Sequence, residues 1–313
     1  MLSPSPPAVL PATIHVAGAS GRSGAALCRA ILSAGGSVVP VVRSAARWAA
    51  AGLPGTPALA DLTDPAALRR ALADASMVVS CAHARHVPAI LAAAPAQARF
   101  VFLGSTRKFT QWPDAHGNGV LAGEAAFLAS LRAGVMLHPT MIYGAQGEDN
   151  VRRLAALLRR LPVVPLPQGG AALVQPIHQD DLTRCILAAL ARPWDGPHAL
   201  VVAGPEPLSY ANFARAVAQA AGLSPPRIVP LPVWPMLAAS MLTRLPGLPT
   251  IRIAEIRRLL EDKAFDITAM RTELGVTPRP LTDGLQSTFI PAGIPAGTPV
   301  STPATPNRGA DPS

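Results

Sequence analysis

Ile14-His15-Val16-Ala17-Gly18-Ala19-Ser20-Gly21-Arg22-Ser23-Gly24 reads as a short apolar strand running into three glycines with two residues between each and the next. A helical pattern follows at once: Leu27, Cys28, Ile31 and Leu32 share one face, and Gly35-Gly36 closes the segment. Strand, glycine turn and helix start together make an anion site. Glycine lets the backbone approach a pyrophosphate, and the unpaired amides and dipole of the helix start favour negative charge. The same spacing also occurs in turns that bind nothing; its place on the first strand of the chain is what favours a dinucleotide.

Outward from this motif, residues 14 to about 106 alternate between strand and helix signals. Residues 38–42 form an apolar β-rich run, and Asp61-Leu62 ends a weaker one. Asp64 caps a helix that has Pro65 at its first position and Leu68 and Leu72 on one face. Residues 77–81 and 100–103 read as buried strands on either side of a helix over 86–94. The alternation predicts an α/β fold, a Rossmann-type doubly wound parallel sheet with helices on both faces and ligands at the C-terminal strand ends. That singles out Gly18 to Gly24, Arg43, Asp61, Cys81-Ala82 and Ser105-Thr106.

The second half is less regular. A helix over 123–132 leads to a strand over 135–138 and then to Pro139-Thr140-Met141-Ile142-Tyr143-Gly144. Residues 150–160 are amphipathic with paired arginines outward. Gln175-Pro176-Ile177-His178-Gln179-Asp180-Asp181 precedes a helix whose dipole favours both acids at its start. Residues 199–202 return as a strand, Ser209 caps a further helix with Leu208 and Phe213 as a staple, and helices over 251–261 and 268–274 follow. The expected organisation is a flexible segment over 1–12 and a dinucleotide-binding domain over 13–145 whose sheet also receives about 198–204. A smaller, interleaved C-terminal substrate lobe over 146–290 follows, and then a disordered tail over 291–313 poor in apolar bulk.

Composition narrows the function. Half of the 313 residues are hydrophobic and 14% are charged, and the net charge of +9 is carried almost wholly by arginine, since Lys108 and Lys263 are the only lysines. Arginine pairs such as Arg69-Arg70 and Arg257-Arg258 are scattered as on solvated helix faces, without a basic tract interleaved with aromatics, which argues against nucleic acid. Cys28, Cys81 and Cys185 lie far apart in apolar runs, so they read as reduced core thiols of a cytoplasmic protein, and no Cys/His spacing suits a metal. The proline-rich start lacks the order of a signal peptide. The apolar stretch over 233–249, broken by Pro235, Arg244 and Pro246, is too short to span a bilayer. The partners expected are a small-molecule substrate and a second copy of the chain.

Ribose recognition turns on the end of the second strand. An acid about 20 residues past the glycine motif suits NAD, whereas arginine suits a 2′-phosphate. Arg43-Ser44 stands at that point and Arg22 lies inside the turn, which favours NADP over NAD; the other reading is that Arg43 ends a strand at the surface.

From about residue 13 to 290 the chain resembles the extended or atypical short-chain dehydrogenase/reductase superfamily, in its NAD-dependent epimerase/dehydratase and NmrA-like branch. The resemblance rests on Gly18-Ala19-Ser20-Gly21-Arg22-Ser23-Gly24, Asp61-Leu62, the 139–144 and 175–182 motifs, and the closing stretches 266–275 and Asp283-Gly284-Leu285. It implies that Asp61, beside Leu62, contacts the adenine and that Cys81-Ala82 line the pyrophosphate and nicotinamide ribose. Pro139, Thr140, Met141 and Ile142 would flank the nicotinamide, and His178 to Asp181 would shape the substrate lobe. With these stand Gly18, Ser20, Gly21, Arg22, Ser23, Gly24, Arg43 and Ser44 as cofactor residues.

The departure from that family is equally informative. Its enzymes carry Tyr-x-x-x-Lys, in which tyrosine is the general acid/base and lysine lowers its pKa. Counting back from Glu124, His116 falls at the tyrosine position and Val120 at the lysine position, and neither Tyr143 nor Tyr210 is followed by lysine at the fourth place. Three arrangements fit: His116 replaces the tyrosine, Lys108 just past Ser105-Thr106 supplies the acid or binds substrate, or the site binds nucleotide without proton chemistry. Against these, His116 reads equally as a histidine in a Gly/Asn-rich turn and Lys108 as an exposed cation. Ser105 occupies the family's Ser/Thr position. The sequence thus points to an NADP-dependent oxidoreductase or epimerase/dehydratase, or to a silent dinucleotide-binding sensor or assembly factor.

Overall fold

The computed structural model describes residues 13–145, 149–161, 163–232 and 257–289. The expected flexible start, the 233–249 stretch and the 291–313 tail lie outside them. Within the first part the order is β1 (Thr13–Ala17), α1 (Arg22–Ser33), β2 (Ser37–Val42), α2 (Ala45–Ala50), β3 (Ala58–Leu59) and α3 (Pro65–Ala71). Then come β4 (Met77–Ser80), α4 (Val87–Ala93), β5 (Arg99–Leu103), α5 (Ala115–Ala129), β6 (Gly134–Pro139) and β7 (Ile142–Tyr143). The second part holds α6 (Asn150–Arg160), β8 (Val163–Pro167), β9 (Leu173–Val174), β10 (Ile177–His178), α7 (Gln179–Ala191) and β11 (Pro197–Val202). It ends with β12 (Leu208–Ser209), α8 (Tyr210–Ala220), β13 (Arg227–Leu231), α9 (Thr268–Leu274) and α10 (Leu281–Phe289).

Seven strands form one sheet in the order β11-β6-β5-β4-β1-β2-β3, every pair parallel. The strand order reverses between β1 and β4, the place where such sheets open a crevice for ligands. Both faces are covered, which explains why the strands read as apolar runs. On one face Ile14, Val16 and Val79 pack against Leu27 and Ile31 of α1, Leu182 and Ile186 of α7 and Met270 of α9. On the other, Val41, Val78, Phe100 and Phe102 meet Leu68, Ile90, Val120 and Phe127. α7, β11 and α9 therefore belong to the sheet's core although they lie beyond residue 145. A separate cluster, with Tyr143, Val151, Leu158, Val164, Phe213, Val217 and Leu285, joins α6, β8, α8 and α10 into the second lobe.

Local rules explain most boundaries. Asp64 accepts from Ala66 N and Ala67 N and starts α3 with Pro65 at its first position; the Ser209 hydroxyl accepts from Asn212 N and starts α8. Two expectations are corrected. α5 begins at Ala115, not near 123, because Asp114 caps it by accepting from Gly117 N at 2.8 Å. Its glycines are contact points rather than turn formers: a Cβ at Gly123 would stand 2.1 Å from the carbonyl oxygen of Ala84. The Gly/Asn-rich stretch around His116 is thus the first turn of a helix. The helix expected over 251–261 has ended before Glu261, and residues 259–267 run irregularly across the end of the sheet.

Candidate active site

The glycine turn sits at the reversal of strand order. Gly18 has φ +75°, a left-handed conformation that residues with a Cβ rarely adopt. Its N–H donates to Val41 O at 3.1 Å and its carbonyl accepts from Gly21 N at 3.0 Å. A Cβ at Gly24 would lie 2.2 Å from that same carbonyl oxygen, so the first turn of α1 closes onto β1 only with glycine there. Gly21 is the N-cap of α1 and makes no side-chain cap, so the helix start presents backbone donors to an anion. Cys81 N donates to Ala17 O at 2.9 Å, and Gly18 lies against the Cys81-Ala82 peptide. Burial pushes the Cys81 thiol upward, so it stays protonated.

The region beside the turn is basic. Arg43 is exposed at the end of β2, and Ser44 caps α2 by accepting from Arg47 N. Ser20, Gly21, Arg22, Arg29 and Arg47 are among the residues lining a shallow depression of about 310 Å³ beside the turn; the sequence reading had not singled out Arg47. Arg22 also reaches Asp149 at the head of α6, and Ser23 Oγ donates to Gln179 Oε1 of α7 at 3.0 Å. Both contacts tie the turn to the second half of the chain. Asp61 accepts from the Thr63 hydroxyl at 2.7 Å and the Thr63 N–H at 2.9 Å. These bonds, with Arg43 nearby, hold its carboxyl below the usual range, ready to accept. Leu62 packs partly buried on the sheet core.

The other end of the crevice is built from side chains. Ser105 follows β5, and its Oγ accepts from Arg107 N at 3.2 Å. Its N–H donates to His138 Nδ1 of β6 at 3.2 Å, so Nε2 carries the proton of the neutral ring. Lys108 is not the exposed cation that one reading allowed: its side chain is 12% exposed, and its amine lies 2.6 and 2.7 Å from the two carboxylate oxygens of Glu124 on α5. His138 Nε2 stands 3.4 Å from that amine and 3.6 Å from Glu124 Oε1. Burial and the Lys108 charge push His138 down to about 4, against the pull of Glu124. Lysine, carboxylate and imidazole from three elements thus meet beneath the Ser105 turn.

His116 does not join that group. On the first turn of α5 its ring packs edge-on against His83, with centroids 4.4 Å apart. Burial and the Arg107 charge lower its pKa. Neither tyrosine takes the acid's place. Tyr143 is buried beside His178, where burial raises its hydroxyl pKa, and burial likewise raises Tyr210.

Past β6, Thr106 Oγ1 donates to Pro139 O at 3.2 Å and Thr140 Oγ1 to Gln175 O at 2.5 Å; Met141 and Ile142 continue the wall. Gln175, the first residue of the 175–182 motif, is a buried hub whose role the sequence did not show, its amide donating to Gly204 O and accepting from Phe265 N. It fastens the ends of β6 and β11 to the 259–267 segment. Asp181, also buried, binds Arg184 and Arg279; burial opposes its charge, but the two guanidiniums keep its carboxyl low. It clamps α7 to the closing segment and does not face a ligand as a free acid.

The comparisons agree with this geometry. The NAD(P)H-binding family matches residues 18–131, the glycine turn through α5. Over most of its length the chain shares the fold of solved epimerase and short-chain dehydrogenase/reductase structures. UDP-glucuronic acid 4-epimerase from Bacillus cereus, in complex with UDP-glucuronic acid and NAD, superposes with TM-score 0.67 at 18% identity over 88% of this chain and 98% of that one. A short-chain dehydrogenase/reductase superfamily protein from Agrobacterium tumefaciens with bound NAD gives 0.66 at 18% identity over 88% and 95%. Among curated proteins, 3-diazoavenalumate denitrifying reductase from a Streptomyces species is 30% identical over 148 residues. That match spans 47% of this chain and 42% of the reductase, so less than half of the relative's length is covered. Among the described residues no helix is long and apolar enough to cross a membrane.

Proposed function

We propose that the protein is an NADP-dependent oxidoreductase that works without the Tyr-x-x-x-Lys pair. The observation that carries the reading is the Lys108–Glu124–His138 group beneath Ser105, a buried ionic network at the strand ends where the fold family does its chemistry. The residues that would hold the dinucleotide are the 18–24 turn, Arg43, Ser44, Asp61, Leu62, Cys81, Ala82 and Pro139 to Ile142, and an unfilled helix start at Gly21 fits a pyrophosphate. When bound, NADPH supplies a hydride. Ser105 orients the reacting oxygen, and Lys108, held by Glu124, gives that oxygen its proton. His116 is the second candidate donor. The reductase relative supports this direction over epimerisation or dehydration, and Arg43, Arg22 and Arg47 support NADP over NAD.

The chain would be organised as a dinucleotide domain over 13–145 with an interleaved substrate lobe over 146–290, and free thiols suit the cytoplasm. It would pair with a second copy through α5, whose outward residues Leu121, Leu128 and neighbouring Leu131 are 48%, 41% and 80% exposed. Sedimentation showing a monomer at micromolar concentration would remove that part.

The functional test follows NADPH oxidation across a panel of carbonyl and nucleotide-sugar compounds. A substrate should be found, and Lys108→Met combined with Glu124→Gln should lower turnover about 10²–10⁴-fold with NADPH affinity kept. If NADPH binds and nothing in the panel oxidises it, the protein is the silent sensor or assembly factor instead.

A further inference from the structure

The turn after β5 and the segment over 257–267 meet where Glu261 binds Thr110 and Gln111, and both carry cations. Arg107 comes from the first, Arg258 and Lys263 from the second. Arg107 spends one terminal nitrogen on Asp114, while its Nε is buried without a hydrogen-bond partner. The Lys263 amine reaches the carbonyl of Arg258 at 2.7 Å. Glu261 is buried and accepts from Thr110 Oγ1 at 3.2 Å and from Gln111 N, so its carboxylate is committed to joining the two segments. Burial lowers Lys263, Glu261 raises it, and Arg258 and Arg107 lower it again; Arg107 and Arg258 also lower His116. The region is a field of positive charge in which the acids are already engaged. Beside it stand two rings: Phe109, 52% exposed, lies 5.6 Å from Phe265 between centroids, and the Lys108 amine sits 4.8 Å from the Phe109 ring centre.

We infer that the substrate of this site is a small carboxylate with a flat apolar body, the body against Phe109 and Phe265 and the carboxylate on Arg107 and Lys263. This rests on the reading of the β5–α5 turn as the reacting end of the crevice. An exposed phenylalanine offers area without a polar demand. A guanidinium with an unpartnered Nε and a lysine amine on the adjoining segment together suit a carboxylate better than a neutral amide. The arrangement also gives a role to the arginine two residues past Ser105: a cation there holds the acid's tail while Ser105 and Lys108 address its other end.

The test titrates aromatic carboxylates, their matched amides and aryl phosphates into the NADP-loaded protein by calorimetry. At least one carboxylate should bind about 10–100-fold more tightly than its amide. That advantage should shrink to near unity in Arg107→Gln or Lys263→Met and be partly kept in Arg107→Lys. An aryl phosphate matching or exceeding the carboxylates would reassign the anion and overturn the carboxylate. If the dinucleotide binds and no carboxylate outbinds its amide, the inference fails while the oxidoreductase reading stands. If the dinucleotide itself fails to bind, the failure lies with the cofactor reading.

Discussion

At the ends of β1 and β4 the chain offers a ligand its backbone; at the ends of β5 and β6 it offers charged side chains. The glycine turn is contiguous, within seven residues, and its specificity comes from φ angles and close approach at Gly18 and Gly24. The second end is assembled from positions 108, 124 and 138 on a turn, a helix and a strand. A backbone site tolerates variation in every residue but its glycines. A buried ionic group tolerates loss of no partner, because each charge is solvated by the others.

Four outcomes would break or sharpen that contrast. The largest concerns the turn: Gly21→Val places a branched side chain at the helix start and should abolish dinucleotide binding with the melting temperature nearly unchanged. Normal NADPH binding by the variant, read by fluorescence titration, would show the turn misassigned. Next is the ionic group. Glu124→Gln leaves Lys108 buried without its counter-charge and should cost about 3–5 kcal/mol of stability in urea unfolding, whereas Lys108→Met with Glu124→Leu should recover most of it. A loss below 1 kcal/mol, in the range of an exposed pair, would mean that water reaches the network.

Smaller is the ribose contact. Arg43→Ala should weaken NADPH by about 1.5–3 kcal/mol and leave NADH unchanged; equal affinities for both cofactors in the unaltered protein would exclude the 2′-phosphate role. The last is a pH slope. His138 falls from an ordinary 6.5 to about 4 in the folded protein, so between those values the unfolded chain binds the extra proton. Stability should therefore decline as pH falls through that window, by about 1.4 kcal/mol per unit for one group. His138→Asn should flatten the slope, and an unchanged slope would place the titration elsewhere.

Legibility in the sequence followed range. The strands, the Asp64 and Ser209 caps and the glycine turn depend on neighbours within a few residues, and the pattern located them. α5 was read eight residues short because glycines at 117, 119 and 123 look like turn residues. Only the packed fold shows Gly123 pressed on Ala84. Lys108 could not be told from a surface cation, since its partner lies sixteen residues away on another element. Glu261 lies in no motif and the motif that Gln175 opens gives no sign of its role; both fasten segments that meet only after folding.

The sequence by itself determined the parallel α/β sheet, the glycine turn and the absence of a Tyr-x-x-x-Lys pair, because periodicity, capping and glycine spacing are local properties of the chain. Tertiary structure alone decided that Lys108 is buried against Glu124 and His138, that His116 packs edge-on against His83 instead, and that Glu261 joins the turn carrying Arg107 to the segment carrying Lys263. Those facts rest on which residues become neighbours and on how much water remains between them, and burial sets the strength of a charge only once the chain has closed around it.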